Sequence, residues 1–372
     1  MAPLHILYIA YPLLTVSDES AGGAEQVLWA LERELARRGV CTTVATSAGS
    51  RIAGELFATG DPCTRPDDYE RRNQEHQEAI IAFVRQRGHA GQPFDLVHDM
   101  SGSFWGRAAE LDVPVLATLH LPRSFYPPQY FQDIPANVSF NCVSHSQARS
   151  FSDLERLIGV VPNGIALDRF EPEHETNHNG NHGRRQGLLW LGRICEEKAP
   201  HLALEIAALA GLPITLAGQI YPFSYHQQYF EKEVDPRLQQ MPNATLVTSP
   251  TFEQKRKLLR EAQALLITSL AKETSSLVAM EAAASGTPVI AFRHGALPEI
   301  AREGVTGFLA DDVEGASAAC QRITSIDRET CQQHARVNFS SAVMADGYAA
   351  VYDQIVGLTS VDVSKLRMLG QR

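Results

Sequence analysis

The sequence predicts an α/β protein built from two domains with parallel sheets, and three observations carry that expectation. At 372 residues the chain exceeds what one ordinary hydrophobic core holds together. Short continuous apolar runs, of the kind found in strands covered on both faces, alternate with stretches whose apolar residues recur at helical spacing. The turns between them carry glycines or hydroxyl caps, as at Gly22-Gly23 and Ser275-Ser276.

Composition narrows the function. Hydrophobic residues make up 44% and charged residues 20%, the balance of a soluble globular chain. The formal net charge is -10, and in residues 1–170 fourteen Arg and no Lys stand against twenty Asp and Glu. A nucleic-acid surface needs the opposite sign, which disfavours that class. Peripheral membrane contact stays open, because a local arginine patch survives a negative total. The six cysteines, Cys41, Cys63, Cys142, Cys195, Cys320 and Cys331, show no Cys-x-x-Cys spacing, and several lie in apolar runs. That is the pattern of reduced thiols in a cytoplasmic protein. Residues 4–14 read as a buried strand and not a signal segment, since no basic stretch precedes them and no small-residue cleavage site follows. No apolar run approaches a bilayer span.

In chain order, residues 5–10 form the first strand. Val27, Leu28, Leu31, Leu35 and Ala36 then recur at helical spacing over 24–38, Gly39 closes that helix, and a second strand covers 41–46. Gly22 and Gly23 sit at this strand-to-helix turn, where they either admit a phosphate to the backbone or simply relieve the turn. Residues 49–75 are polar and irregular, 78–86 helical. Strands at 95–98 and 113–119 end at His98 and His120. Strand carboxyl ends in an open α/β sheet face the ligand crevice, which marks both residues, although a lone histidine is more often structural. The loop 121–131 holds four aromatics among three prolines, including Arg123, Phe125 and Tyr126. It either stacks on a sugar or is pinned by its own rings. A strand at 141–144, a helix at 146–157 and a strand running into Asn163-Gly164 follow.

Residues 171–186 read as a flexible linker without periodicity. Inside it, His174-Glu175-Thr176-Asn177-His178 matches the zinc-protease pattern, but that chemistry needs both histidines on one stable helix. Pro172 before it and Asn179-Gly180-Asn181 after it deny that helix. The second half restarts with a strand at 188–191 and a helix from Pro200 to 210. Arg193 and Lys198 share the connecting loop, where together they suit a diphosphate and singly they are surface charges. A strand at 214–217 ends at Gly218, and the aromatic stretch 221–230 is a pocket wall or a packed helix. A strand at 244–247 and a helix at 252–262 lead to the run 264–267. A loop with Glu273 follows, then caps at Ser275-Ser276, a helix over 277–284 carrying Glu281, the stop at Gly286 and Pro288, and a strand at 289–292. A helix N-terminus flanked by two carboxylates suits a ligand that is part anion, part polyol. A strand at 305–310 and helices at 316–323 and 339–356 end the reading. Gly-x-Gly-x-x-Gly and Asp-x-Asp are both absent.

Several of these features recur together in one known order: Gly22-Gly23-Ala24-Glu25, Ala117-Thr118-Leu119-His120, Pro162-Asn163-Gly164, Gly192-Arg193 with Lys198, and Glu273-x7-Glu281 before Ala-Ala-Ala-Ser-Gly-Thr-Pro. On them the chain resembles the retaining glycosyltransferases of family 4, the glycosyl transferases group 1, over essentially its whole length. The resemblance implies the GT-B fold, two Rossmann-like doubly wound parallel-sheet domains facing a central cleft. Residues 1–170 are then the acceptor-side domain, 171–186 the linker and 187–340 the nucleotide-sugar domain, with a C-terminal helix in 341–372 packing back on the first domain. His120, Arg193, Lys198 and Glu273 are the implied catalytic residues. Gly22, Gly23, Gly218, Ser275, Ser276, Leu277 and Glu281 bind the donor, and His98, Arg123, Phe125 and Tyr126 the acceptor. Arg193 and Lys198 neutralise the leaving diphosphate, Glu281 holds ribose hydroxyls, Glu273 the donor sugar.

The implied reaction is metal-independent transfer from a nucleotide-diphosphate sugar, with no further cofactor, to a saccharide, glycolipid or small-molecule hydroxyl. The implied setting is the cytoplasm, peripheral to the inner membrane face for a lipid-linked acceptor. A nucleotide-sugar epimerase, a phosphorylase or a catalytically inactive nucleotide-sugar-binding subunit are the rival readings. Three departures stand out: Ser275-Ser276 where the family carries Phe-Gly, Ala199 where it carries Gly after the lysine, and the strand end Gly218-Gln219, which lacks a second glycine.

Overall fold

A computed structural model describes residues 3–63, 65–170 and 187–357. The expected linker 171–186, with the His-Glu-x-x-His match at 174–178, and the residues after 357 lie outside the described residues. The chain divides into two compact units, Met1–Ile165 with Ser341–Arg372, and Ala166–Ser340.

The first unit is built on seven strands: β1 (His5–Ile9), β2 (Cys41–Thr46), β3 (Glu55–Ala58), β4 (Leu96–Asp99), β5 (Val115–Leu119), β6 (Val138–Cys142) and β7 (Leu157–Val160). They pair in parallel in the order β3-β2-β1-β4-β5-β6-β7. β3 falls in the stretch expected to be irregular. It is a largely exposed edge strand, so it needs no apolar run to form. The helix after it, Tyr69–His89, starts before the expected 78. Its polar opening turns are held by side-chain pairs, Arg71 to Glu75 at 2.9 Å and Gln74 to Glu78 at 2.9 Å, while Arg72 donates to the Asp61 carbonyl at 3.1 Å. The helix expected over 146–157 spans only His145–Ser150, because Phe151 turns fully into the core and the chain re-enters the sheet as β7.

The C-terminal helix, Ser341–Val356, belongs to this first unit. It lies against the helix Gly23–Arg37 and the sheet, and its contacts are polar as well as apolar. Arg38 donates to Asp346 at 2.8 Å and Tyr348 meets Thr118 at 3.1 Å. The Tyr352 hydroxyl sits 2.8 Å from His98 Nδ1 and 3.2 Å from the Tyr8 hydroxyl. His98 Nε2 is in turn 2.7 Å from Thr118 Oγ1, and the residue is fully enclosed. The expectation that His98 meets an acceptor is corrected: both ring nitrogens are engaged within the core, and no face of the ring reaches solvent.

The second unit holds β8 (Leu188–Arg193), β9 (Ile214–Gln219), β10 (Ala244–Thr248), β11 (Ala264–Ile267), β12 (Val289–Phe292) and β13 (Gly307–Ala310). All pair in parallel in the order β10-β9-β8-β11-β12-β13. Both sheets are doubly wound, and strand order reverses between β1 and β4 in one and between β8 and β11 in the other. At such a switch point the loops leaving the carboxyl ends open a ligand site. The helix Leu277–Ala284 follows β11 and ends before Gly286, whose φ of 67° favours glycine. A helix unforeseen in the sequence, Arg328–Asn338, is capped by Asp327, whose carboxylate accepts from Thr330 N at 2.8 Å.

Two buried histidines of the first unit set its acid stability. Burial draws His76 down to about 4 and holds His98 well below the ordinary value. The unfolded chain then binds protons that the folded unit refuses. The associated stability is present above the unfolded value of about 6.5 and is lost as pH falls through the folded values. We predict that His76→Gln flattens the decline of unfolding free energy between pH ~6.5 and ~4 by up to about 1.4 kcal/mol per pH unit. Urea unfolding at stepped pH measures this, and an unchanged slope refutes it.

Candidate functional site

The residues that carry chemistry in the second unit gather at its switch point. β8 ends at Arg193, and the loop to the helix Pro200–Ala210 contains Cys195, Glu197 and Lys198. The loop after β11 contains Thr268, Ser269 and Glu273. These two loops are stitched together. Thr268 Oγ1 donates to the carbonyls of Ala199 at 2.8 Å and Lys198 at 3.1 Å, and it accepts from the Trp190 indole at 3.2 Å. Leu270 N and Ser269 Oγ both donate to the Glu197 carbonyl, at 2.9 and 3.1 Å.

Lys198 Nζ and the Glu273 carboxylate form a direct ion pair. Glu273 is gripped from behind by Gly295, where an added Cβ would lie 2.2 Å from the Glu273 carbonyl oxygen and 2.5 Å from its nitrogen. Ala296 N also donates to that carbonyl at 2.8 Å. Arg193 is half exposed, 3.9 Å from the Glu197 carboxylate and with its guanidinium 5.8 Å from the Tyr221 ring centre. Among the described residues it is held only loosely, by that one long ion contact.

Glu281 is almost completely buried on the helix Leu277–Ala284. One oxygen, Oε1, accepts from Lys255 Nζ at 2.6 Å. The other, Oε2, is buried and has no hydrogen-bond partner among the described residues. Lys255 stands on the helix Phe252–Glu261 between two rings, its ammonium 5.3 Å from the centre of Phe170 and 5.5 Å from that of Phe252. Lys255 and Phe170 are missing from the sequence reading, because no short motif ties a lysine at 255 to a carboxylate at 281. The only available signal was a cation three residues after an exposed-looking aromatic.

Two expectations for this region change. Ser276 occupies the N-cap position, yet its hydroxyl makes no cap bond, and Ser275 Oγ is buried without a partner among the described residues. The first turn of this helix is therefore not closed by its own side chains. Gly218 is glycine for a reason internal to the sheet: a Cβ there would lie 1.8 Å from the Gly192 carbonyl oxygen on the neighbouring strand.

In the first unit, the helix Gly23–Arg37 begins at the glycine turn, but its own Glu25 is folded back over it. A Cβ on Gly22 would lie 1.9 Å from the Glu25 carboxylate, which is buried and whose pKa burial raises. An anion of the chain thus already lies against this turn. His120, at the end of β5, is partly enclosed, and burial draws its imidazole down to about 4, so it is neutral at pH 7. Of the loop residues, Phe125 is 66% exposed and free to meet a ligand. Arg123 is held by Asp153 at 2.7 and 2.9 Å and lies over Phe131 and Phe151. Tyr126 is a correction: it is buried against Phe131 and Phe151, and its hydroxyl accepts from Leu121 N at 3.2 Å, so it shapes the loop and does not face an acceptor.

Family models decide the identity of the fold. The model for Glycosyltransferase Family 4 matches residues 21–169, and that for Glycosyl transferases group 1 matches residues 185–325. The chain belongs to glycosyltransferase family 4. It is similar to the D-inositol 3-phosphate glycosyltransferase of Pseudarthrobacter chlorophenolicus, 33% identical over 190 residues, or 48% of this chain and 42% of the relative. The enzyme of the same name from Mycolicibacterium smegmatis is 30% identical over 207 residues, 53% of this chain and 47% of the relative. The chain thus spans about half the length of the curated relatives it matches. Among solved structures it is similar to a glycosyltransferase involved in avilamycin A biosynthesis, with a TM-score of 0.72 at 20% identity over 95% of this chain and 98% of that one. Anabaena HepE, solved in complex with UDP and glucose, superposes with a TM-score of 0.69 at 14% identity over 94% of this chain and 100% of that one. These likenesses establish the GT-B fold of two parallel-sheet α/β units.

The buried pair at Lys255 and Glu281 gives this site a measurable signature. Lys255→Met strands a buried carboxylate, and we predict a loss of about 3–5 kcal/mol in the second unit. Adding Glu281→Gln to it restores more than half of that loss. Chemical unfolding of the single and double variants tests the coupling, and additive losses would show that the pair carries none.

Proposed function

We propose that this glycosyltransferase moves a sugar from a nucleoside-diphosphate sugar to a hydroxyl of a saccharide, glycolipid or small molecule, with retention at the anomeric carbon and without a metal on the diphosphate. The observation that carries the reading is Glu281, a buried carboxylate with one oxygen fixed by Lys255 and the other unpartnered among the described residues. A ribose diol donates to such an oxygen and removes the cost of leaving it unpaired. The Lys198–Glu273 pair and the half-exposed Arg193 stand on neighbouring loops of the same unit, where the rest of a nucleotide sugar extends.

In this reading the arriving diphosphate competes with Glu273 for the Lys198 ammonium, and Arg193 supplies the second cation. Backbone N–H groups from Ser276 and Leu277 and the Ser275 hydroxyl complete the phosphate contacts, since the Ser276 side chain makes no cap bond to that turn. Glu273, held through its backbone by Gly295 and Ala296, turns its carboxylate to the hydroxyls of the donor sugar. As the glycosidic bond to the phosphate breaks, negative charge grows on the leaving oxygen, where these donors stabilise it most. That oxygen takes the acceptor proton as the acceptor oxygen bonds to the same face of the anomeric carbon. In the first unit, the same reading gives the acceptor side to His120, Phe125 and Arg123, while Glu25 lies against the Gly22-Gly23 turn. Among the described residues no helix is long and apolar enough to cross a membrane. A cytoplasmic enzyme, peripheral to the membrane for a lipid-linked acceptor, fits the reading.

A panel of nucleoside-diphosphate sugars read by thermal shift identifies the donor, since a ligand of the native state raises the melting temperature. With that donor, Lys198→Met lowers kcat/KM by about 10²–10³-fold and Arg193→Gln by at least about tenfold. The product keeps the donor's anomeric configuration by proton NMR, and adding Mg²⁺ or Mn²⁺ leaves turnover unchanged. An inverted product would sink the retaining assignment, and full activity of both variants would sink the site.

A further inference from the structure

One cluster of the second unit plays no part in that reaction. In the loop after β8, the Cys195 thiol and the Glu197 carboxylate converge on the imidazole of His226, from the helix Ser224–Tyr229. One donor atom from each lies within 4.8 Å of the other two. Cys195 is fully buried and His226 is 1% exposed, and neither ring nitrogen of His226 has a hydrogen-bond partner among the described residues. Leaving two such nitrogens unsatisfied in a buried site is costly. Tyr221, Phe223 and Tyr225 pack around the ring, with centroids 5.9, 5.6 and 4.3 Å away, and the charged or polar groups beside it are the thiol, the Glu197 carboxylate and the Arg193 guanidinium.

We propose that Cys195, Glu197 and His226 form a binding site for one borderline-soft divalent cation of the Zn²⁺ type, beside the proposed sugar-nucleotide site and supplying no atom to its chemistry. Thiolate with imidazole selects zinc over magnesium or calcium, which prefer oxygen alone. One thiolate and one carboxylate balance the charge of the ion, which suits a half-enclosed pocket. Bonds of about 2.0–2.3 Å place tetrahedral donors roughly 3.4–3.7 Å apart, so the cluster has to tighten by about 1 Å around the ion. Three protein ligands leave a fourth position for water. Burial lowers the pKa of His226, which keeps it neutral and ready to ligate, while burial pushes the Cys195 thiol up to about 11. Binding therefore releases the thiol proton to solvent as the sulfur–metal bond forms.

The ion would do two things to the neighbouring loop. It ties residues 195–197 to the aromatic helix, and so fixes the segment that ends in Lys198. It also takes the Glu197 carboxylate, which stands 3.9 Å from Arg193, and leaves that guanidinium fully to an anionic ligand.

The test uses the intact chain, stripped with a chelator and titrated with Co²⁺ and then Zn²⁺. The expected result is one equivalent of Co²⁺ with the visible bands of a tetrahedral complex and a sulfur-to-cobalt charge-transfer band, both removed by Zn²⁺. Cys195→Ser abolishes the charge-transfer band, and His226→Gln weakens Co²⁺ binding at least tenfold. Cys320→Ser, at a buried thiol elsewhere in the unit, changes neither. Zn²⁺ raises the melting temperature of the parent chain and not of His226→Gln, a readout that stands even if Cys195→Ser fails to fold. Substoichiometric binding, a charge-transfer band that survives Cys195→Ser, or a Zn²⁺ shift retained in His226→Gln overturns the proposal.

Discussion

β8 and β11 are neighbours in a parallel sheet, so the loops leaving their carboxyl ends run side by side, and the hydroxyl of Thr268 joins them. That one group accepts from the Trp190 indole on one side and is directed at two carbonyls of the lysine loop on the other. Because those carbonyls belong to Lys198 and Ala199, the bond sets the direction in which the lysine leaves the backbone. The opposite partner, Glu273, has no helix or strand to hold it and is fixed instead through its own backbone by Gly295 and Ala296. Both members of the ion pair thus stand on irregular chain, yet each is anchored by main-chain contacts to a rigid neighbour. Loops positioned in this way can carry chemistry without wandering.

Lys255 and Glu281 answer a different constraint. A carboxylate this buried is costly without a cation beside it, and a cation this close to two aromatic rings is favoured by their faces. The pair is nevertheless incomplete, since Glu281 Oε2 lacks a partner among the described residues. Folding alone would favour an apolar pair of the same volume or a fully bonded one. A half-satisfied charge in a well-packed unit calls for an explanation, and the donor ribose of the proposed reaction provides one.

Local sequence was most informative where punctuation was strong. The elements Ala264–Ile267, Leu277–Ala284 and Val289–Phe292 fall where the apolar runs, Gly286 and Pro288 place them. Where a segment owes its form to distant partners the sequence is silent. β3 is a strand because β2 offers it an edge, and the polar start of the helix Tyr69–His89 is held by Arg72 reaching back to residues 59 and 61. His98 shows the same limit inside the site. Its place at a strand end suggested an exposed ligand contact, and only a tyrosine 254 residues later in the chain turns it into a core residue. The motif residues Lys198, Glu273 and Glu281 were legible because short spacing ties them to strand ends. Lys255, which completes Glu281, lies 26 residues from it and carries no such mark.

Two of the departures from the family pattern, Ser275-Ser276 and Ala199, differ in what they cost the backbone. Ser276 has a φ of -144°, an extended conformation open to any residue, so the glycine usual there is not demanded by geometry. The serines therefore change which atoms face the helix end without straining it. Ala199 has a φ of 47°, in the left-handed region, where a residue with a Cβ costs about 1–2 kcal/mol more than glycine. That strain is held in place by the surrounding bonds: its N–H lies 3.1 Å from the Cys195 carbonyl and 3.0 Å from that of Glu196, and its own carbonyl accepts from Thr268. Its methyl group is fully buried, and that burial offsets part of the cost. A glycine at 199 would relax the turn but give the lysine loop more freedom in the unbound state. The alanine trades backbone ease for a Lys198 whose direction is settled before any ligand arrives.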